Sequence, residues 1–217
     1  MTPSAPTRDV VGLGNALVDV LSHEADAFLD GHGLVKGSMA LIDAEQATRL
    51  YGAMGPGIEI SGGSAANTMV GVASLGGTAA FLGRVADDEL GAVFAHDIRA
   101  AGVEFVHAPA ADGPPSGRCL ILVTPDAERT LNTFLGAAAE FGPEDVDPAL
   151  IASAQITYLE GYLWDQPRAK EAFRHAAALA HGAGRRVALT LSDGFCVDRH
   201  RADFLALVED DVDVLFA

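Results

Sequence analysis

Short runs of β-branched and aliphatic residues alternate with helix-length amphipathic stretches along most of this 217-residue chain, and that alternation narrows its possible folds more than any other feature. "RDVVGLG" (8–14) reads as a buried strand ended by glycines. "TAAFLGRV" (78–85) is a second such strand. A helix over 89–101 follows, with Asp88 as its cap, Leu90, Val93, Phe94 and Ile98 as its buried stripe and Gly102 as its stop. Further on, strands at 155–161, 185–193 and 212–217 are separated by helices at 167–182 and 199–208. Parallel strands need long crossovers, usually helical, so this pattern predicts an α/β fold with a mostly parallel sheet covered by helices.

One set of segments departs from the alternation. "LVDVLS" (17–22) follows the first strand almost at once, and "SMALID" (38–43) is a further strand candidate. Within 112–136, two strand-like runs, 118–123 and 129–135, flank the turn sequence "TPDAE". No helix separates 17–22 from 38–43, or the two runs within 118–135, in this reading, so these three segments are expected to form a second, smaller sheet. Asp43 heads a helix that starts at Ala44, with Gln46 at the capping-box position. "GIEIS" (57–61) is strand-like and precedes a helix over 65–75.

Composition limits the partners. With 49% hydrophobic and 20% charged residues the chain is an ordinary globular one, long enough for one α/β core with a small appendage. A formal net charge of −16 argues against nucleic acid, whose binding rests on Lys and Arg contacts to phosphate, but a small phosphorylated ligand needs only a local positive site. Cys119 and Cys196 lie far apart with no CxxC spacing, which fits a reducing compartment better than a disulfide framework or a thiolate zinc site. "MTPSAPTRDVVGLG" lacks the basic and apolar regions of a signal peptide, and no run reaches the length of a membrane span, so a cytoplasmic address is expected. The seven histidines show no HExxH-like pairing and there is no GxSxG elbow. "VDRHR" (197–201) reads as a solvated helix start and "VEDDVD" (208–213) as a helix end facing water.

Two glycine stretches need closer reading. "GLGNAL" (12–17) begins like a dinucleotide fingerprint, but Leu17 stands where the third glycine belongs and the chain continues as a strand. The glycines need only end a strand; alternatively Asn15 and Asp19, polar amid apolar neighbours, could hold a sugar diol between an amide and a carboxylate. "ISGGSAANT" (60–68) has no following Gly-Lys-Ser/Thr and no lysine nearby, so it is not a Walker A loop. As local structure, Ser64 caps the next helix, Asn67 sits at its third position, and Gly62 and Gly63 supply positive φ. Bare backbone N–H groups beside an outward amide would suit a neutral hydroxyl-bearing ligand.

"GGSAANTMVGVASLGG" (62–77), followed by "FLGRVADDELG" (81–91), resembles the first signature region of the PfkB, or ribokinase-like, carbohydrate kinase family, and the resemblance extends over essentially the whole chain. Within that family, "GLGNALVDV" (12–20), "SGRCLILVT" (116–124), "ERTLNTFLGAA" (128–138), "TYLEGYLW" (157–164), "LTLSDGFCVDRHR" (189–201) and "VDVLFA" (212–217) are most similar to adenosine kinases. The resemblance implies a Rossmann-like αβα sandwich with a small β-sheet lid. Residues 1–217 would be the N-terminal part of one such domain, with core at about 8–15, 44–115 and 136–217 and lid at about 16–43 and 116–135. It implies transfer of the γ-phosphoryl of ATP, with Mg2+, to the primary hydroxyl of a nucleoside such as adenosine. A sugar kinase acting on ribose or fructose is the alternative, and a non-catalytic nucleoside or sugar binder is a further one. A monomer or homodimer is expected.

The same resemblance assigns residues. Asn15 and Asp19 match positions that contact ribose hydroxyls, and Gly63 and Asn67, with Gly62 beside them, complete that site. Met39, Leu41, Cys119, Leu131 and Tyr162 fall where lid and core surround the base or the rest of the sugar, with Phe134 a second aromatic candidate. Arg129 matches a lid arginine beside the transferred phosphate, where a fixed cation offsets developing charge. The family's second signature, a DTxGAGD-type stretch carrying the general-base Asp and the anion hole, does not occur, and neither does the Asn-x-x-Glu stretch. The expectation is therefore that these 217 residues carry the sugar site and lid and turn over ATP poorly by themselves. Gly194, in "LSDGF", stands where the family pattern leads one to expect proline.

Overall fold

The alternating runs resolve into eleven strands and seven α-helices in a computed structural model that describes residues 5–106 and 108–217. Residues 1–4, part of the stretch read above for a leader, and His107, one of the seven histidines, lie outside the described residues. The strands are β1 (Arg8–Leu13), β2 (Leu17–His23), β3 (Met39–Leu41), β4 (Ile58–Gly62), β5 (Ala79–Leu82), β6 (Val103–Glu104), β7 (Gly117–Val123), β8 (Arg129–Phe134), β9 (Ala154–Glu160), β10 (Arg186–Thr190) and β11 (Val214–Phe216). The helices are α1 (Asp26–Gly31), α2 (Ala44–Ala53), α3 (Ser64–Ser74), α4 (Glu89–Ala100), α5 (Pro148–Ser153), α6 (Pro167–Gly182) and α7 (Gly194–Asp210).

Six strands form one sheet in the order β11-β10-β9-β1-β5-β6, and every pairing in it is parallel. The fold is thus mixed α/β with a parallel sheet flanked by helices, as the alternation requires. The other five strands form a mixed sheet, β3-β8-β7-β2-β4, in which β7 and β8 are the antiparallel hairpin expected around "TPDAE". Asp43 caps α2 in a full capping box with Gln46, and Asp88 caps α4 by accepting from the Gly91 N–H at 2.8 Å. Gly102, at φ +86°, follows the end of α4.

Differences from expectation at three elements bear on the site. The short helix α1 interrupts the stretch between 17–22 and 38–43 that was read as helix-free. Strand β4, placed with the core block 44–115, instead pairs antiparallel with β2 at the edge of the second sheet, Leu17 opposite Gly62 and Leu21 opposite Ile58. Its physical reason is in its pattern: "GIEIS" alternates, as a half-exposed edge strand does, whereas the parallel core strands are continuous apolar runs. Helix α7 begins at Gly194 rather than 199, because Asp193 caps it by accepting from the Cys196 N–H at 2.7 Å. "VDRHR" is therefore not a helix start; it spans a kink at His200 (φ −124°, ψ 19°) in the middle of α7.

Two apolar clusters hold these layers together. One packs β1, β9 and β10 against α5, α6 and α7 around Trp164, Phe173 and Phe204. The other joins α3 and α4, through Met69, Phe94 and Ile98, to Val18, Val20, Leu120 and Leu122 of the second sheet. The back of the small sheet therefore shares a core with the large one. Cys119 and Cys196 are free and buried. Among the described residues no helix is long and apolar enough to cross a membrane.

Candidate functional site

Strand β1 sits at the centre of the parallel sheet, with β5 on one side and β9 on the other. The strand order reverses there, and open α/β sheets bind ligands in the crevice beyond the carboxyl ends of such strands. Asn15 follows the end of β1 and Glu160 ends β9. The Glu160 carboxylate collects four hydrogen bonds: Oε2 accepts from the Asn15 N–H at 2.7 Å and Asn15 Nδ2 at 3.1 Å, and Oε1 accepts from the Ala65 N–H at 3.1 Å and from the Ser64 hydroxyl. Glu160 is buried, and burial pushes its carboxyl pKa up while these bonds oppose the shift. One carboxylate thus ties together the β1–β2 junction, the start of α3 and the end of β9. Sequence reading missed Glu160, because its partners are all distant in the chain.

This network corrects the reading of "ISGGSAANT". Ser64 makes no side-chain cap; its hydroxyl donates to Glu160, and it is the first helical residue of α3. The N-cap is Gly63, and Asn67 lies at the fourth helical position rather than the third. Only Gly63 has positive φ, at +95°; a Cβ on it would also lie 2.3 Å from the Asn15 carbonyl oxygen. Gly62 matters for a different reason: a Cβ there would come within 2.4 Å of the Asp19 carboxylate.

A cavity of about 640 Å3 opens above this network, between the two sheets. Asn15, Asp19, Met39, Leu41, Gly63, Asn67, Cys119, Arg129, Leu131 and Tyr162 line it, together with Glu160, Asp165, Phe195 and Arg199. Gly62 is not part of the lining, although it makes room for Asp19. Phe134 lines a neighbouring cavity with Leu135, Gly136 and Gln166 instead. Side chains alternate along β8, so a strand that turns Leu131 and Thr133 toward the site turns Phe134 away. Phe195, on the first turn of α7, is the aromatic that sequence reading missed.

The electrostatics separate the polar side chains by role. Burial pushes the Asp19 carboxyl up to about 6, and the positive charge of Arg129 restrains the shift. Burial pushes the Cys119 thiol up to about 11, and the Thr133 hydroxyl donates to its sulfur at 3.3 Å, so Cys119 is a packed wall residue and not a thiolate nucleophile. Burial and the nearby Asp193 carboxylate push Tyr162 up to about 12. The Tyr162 hydroxyl donates to Asp193 Oδ2 at 3.1 Å and its N–H to Ser192 Oγ at 3.0 Å, which leaves its ring as what it offers a ligand. Among the described residues no group of three or more His, Cys, Asp or Glu is arranged to hold a metal ion.

A family model described as pfkB family carbohydrate kinase matches residues 58–217. The structure of adenosine kinase from Sinorhizobium meliloti is 54% identical, with a TM-score of 0.89, over 96% of this chain and 64% of that one. A probable sugar kinase from Rhizobium etli CFN 42 is 53% identical, with a TM-score of 0.90, over 97% of this chain and 64% of that one. Among curated proteins, the 5-dehydro-2-deoxygluconokinase of Shouchella clausii is 29% identical over 133 residues, 60% of this chain and 41% of the relative. The chain thus spans just under two thirds of these two structures and about two fifths of this curated relative.

Proposed function

Because the chain belongs to the pfkB family of carbohydrate kinases, we propose that it forms the acceptor site of an ATP-dependent phosphotransferase whose substrate is a nucleoside, adenosine foremost, phosphorylated on its primary hydroxyl. The observation that carries this reading is a single cavity with two chemically different ends. At one end Asn15, Asp19 and Asn67 offer an amide, a carboxylate and a second amide beside the bare backbone of Gly63. Ionised above about pH 6, Asp19 accepts from a pair of ribose hydroxyls, and the two amides complete the ring of partners. At the other end the rings of Tyr162 and Phe195 and the aliphatic side chains of Met39, Leu41 and Leu131 suit a flat apolar face. A free sugar would leave that end unfilled. Arg129, from β8, is the fixed cation beside the transferred phosphoryl group. ATP with Mg2+ is the phosphoryl donor in this reading, and the two buried thiols support a cytoplasmic setting.

A kinase for free sugars of the same family is the second reading. It is favoured by the names of the Rhizobium etli and Shouchella clausii relatives. Titration calorimetry of this chain with adenosine, inosine, guanosine, ribose and fructose separates the two. The nucleoside reading expects adenosine to bind at least tenfold more tightly than ribose; tighter binding of ribose or fructose would overturn it.

A further inference from the structure

The aromatic end of the cavity contains an ion pair to which the nucleoside reading gives no role. Asp165, at the end of the 3-10 turn Gly161–Asp165, and Arg199, on α7, both line the cavity. Arg199 Nε donates to Asp165 Oδ1 at 3.2 Å and Nη2 to Oδ2 at 3.1 Å, while His200 Nε2 meets Oδ1 at 2.5 Å. This two-pronged contact fixes the planes of guanidinium and carboxylate relative to each other. The kink in α7 falls at His200 itself. The part of α7 before the kink, which brings Phe195 and Arg199 to the cavity, is therefore fastened through Asp165 as well as through its own helix.

Neither partner is exhausted by the pair. Among the described residues Arg199 Nη1 donates to nothing, and Asp165 Oδ2 accepts a single bond. The Tyr162 hydroxyl is already committed to Asp193, and Met39, Leu41, Leu131 and Phe195 bring no polar side chain to this end. Arg199 therefore keeps an uncommitted donor and Asp165 a further acceptor position at the wall of the cavity. As a strut, the pair would be a poor investment, since exposed ion pairs contribute little to folding and the Arg199 side chain is 46% exposed.

We propose that the Asp165–Arg199 pair determines base specificity by reading the polar edge of a nitrogenous base: Arg199 donates to a ring nitrogen, and Asp165 accepts from an exocyclic amine next to it. A 6-aminopurine presents that acceptor and donor side by side. The inference rests on the nucleoside reading above and adds to it the part of the base that is recognised.

The test compares adenosine with purine riboside, which differs only in lacking the 6-amino group, by calorimetry on the 217-residue chain and on Arg199→Leu and Asp165→Ala. A site built to pair a polar group rejects the analogue that lacks it. The native chain is expected to favour adenosine at least tenfold, and each substitution to reduce that ratio to about twofold or less, chiefly by weakening adenosine. Arg199→Leu leaves the Asp165–His200 contact in place, so it decides the matter if Asp165→Ala lowers the thermal midpoint. Failure of the native chain to bind either nucleoside, while it binds ribose, overturns the nucleoside reading and this inference together. An adenosine preference that persists unchanged in Arg199→Leu overturns this inference alone.

Discussion

At the floor of the cavity Asn15 and Glu160 are buried, and four hydrogen bonds converge on one carboxylate; at the rim Met39, Leu41 and Phe195 are 47%, 55% and 76% exposed. The floor joins the ends of two central parallel strands to the start of α3. The rim comes from an edge strand, β3, and from the first turn of a kinked helix. The difference separates two tasks. Polar groups that will meet a ligand's hydroxyls must be held before it arrives, and the hydrogen bonds that hold them also stabilise the fold. Apolar side chains at the rim contribute little to the fold while half in water, so most of their burial energy is left for a bound ligand.

The sharpest way to break this division is Glu160→Ala. It removes the acceptor for the buried Asn15 and Ala65 N–H groups, and each buried donor left unpaired costs roughly 1–3 kcal/mol. Relief from burying the carboxylate offsets part of this, so a net loss of about 3 kcal/mol is expected from urea denaturation. A loss below about 1 kcal/mol would mean that the floor is not held through Glu160.

Asp19→Asn tests the floor with opposite signs on stability and binding. The folded-state pKa of Asp19, about 6, lies above its ordinary 3.8, so the folded chain holds this proton more tightly than the unfolded chain does. Its contribution is therefore fully present below about pH 4 and is lost as pH rises through 6. At pH 7 the buried charge opposes folding by about 2 kcal/mol, taken from the conversion of roughly 1.4 kcal/mol per pKa unit and discounted for partial exposure. The Asn variant should therefore be more stable than the native chain at pH 7 and equal to it near pH 4, while sugar or nucleoside affinity falls at least tenfold. Thermal midpoints that show no pH-dependent gap between the two would remove the charge from the account.

The same division governs what could be read from the sequence. Asp43 and Asp88 were legible as caps because their partners, Gln46 and Gly91, lie three residues away. Ser64 shows the same local pattern, but its hydroxyl goes to Glu160, 96 residues on, and no local rule reveals a competitor at that distance. Asn15 and Asp19 stood out as polar residues in apolar runs. Gly62 was expected to supply positive φ beside the sugar site; its actual use, making room for Asp19, depends on a β2–β4 register that sets it opposite Leu17 and diagonal to Asp19. Phe195 and Arg199 were hidden because the helix was expected to start only at 199, with Arg199 on a solvated first turn, whereas α7 begins at Gly194. Phe134 could have been placed by strand alternation once Leu131 was assigned to the site.

Gly194 also offers a modest adjustment of the rim. It is the first helical residue of α7, where a backbone N–H has no helical partner and proline is favoured. Asp193 before it is extended, at φ −130° and ψ 171°, which a following proline tolerates, and a Cβ at 194 would meet nothing within 4 Å. Gly194→Pro should therefore stabilise by about 0.5–1 kcal/mol, mainly by restricting the unfolded chain. A fall in thermal midpoint would show that the first turn of α7 needs glycine's freedom.

Leu41→Ala has the smallest expected effect on the fold. Leu41 ends the three-residue edge strand β3, whose other neighbour is solvent, and more than half of its surface is already in water. The loss on truncation scales with the area that was buried, so the change in unfolding free energy should stay within about 0.5 kcal/mol. The β3–β8 pairing is through backbone and would survive the substitution. A ligand that fills the aromatic end would cover the rest of Leu41, so affinity for adenosine should fall severalfold while affinity for ribose is unchanged. A loss of stability above 1.5 kcal/mol, measured beside Glu160→Ala under the same conditions, would show that rim and floor share the work of folding.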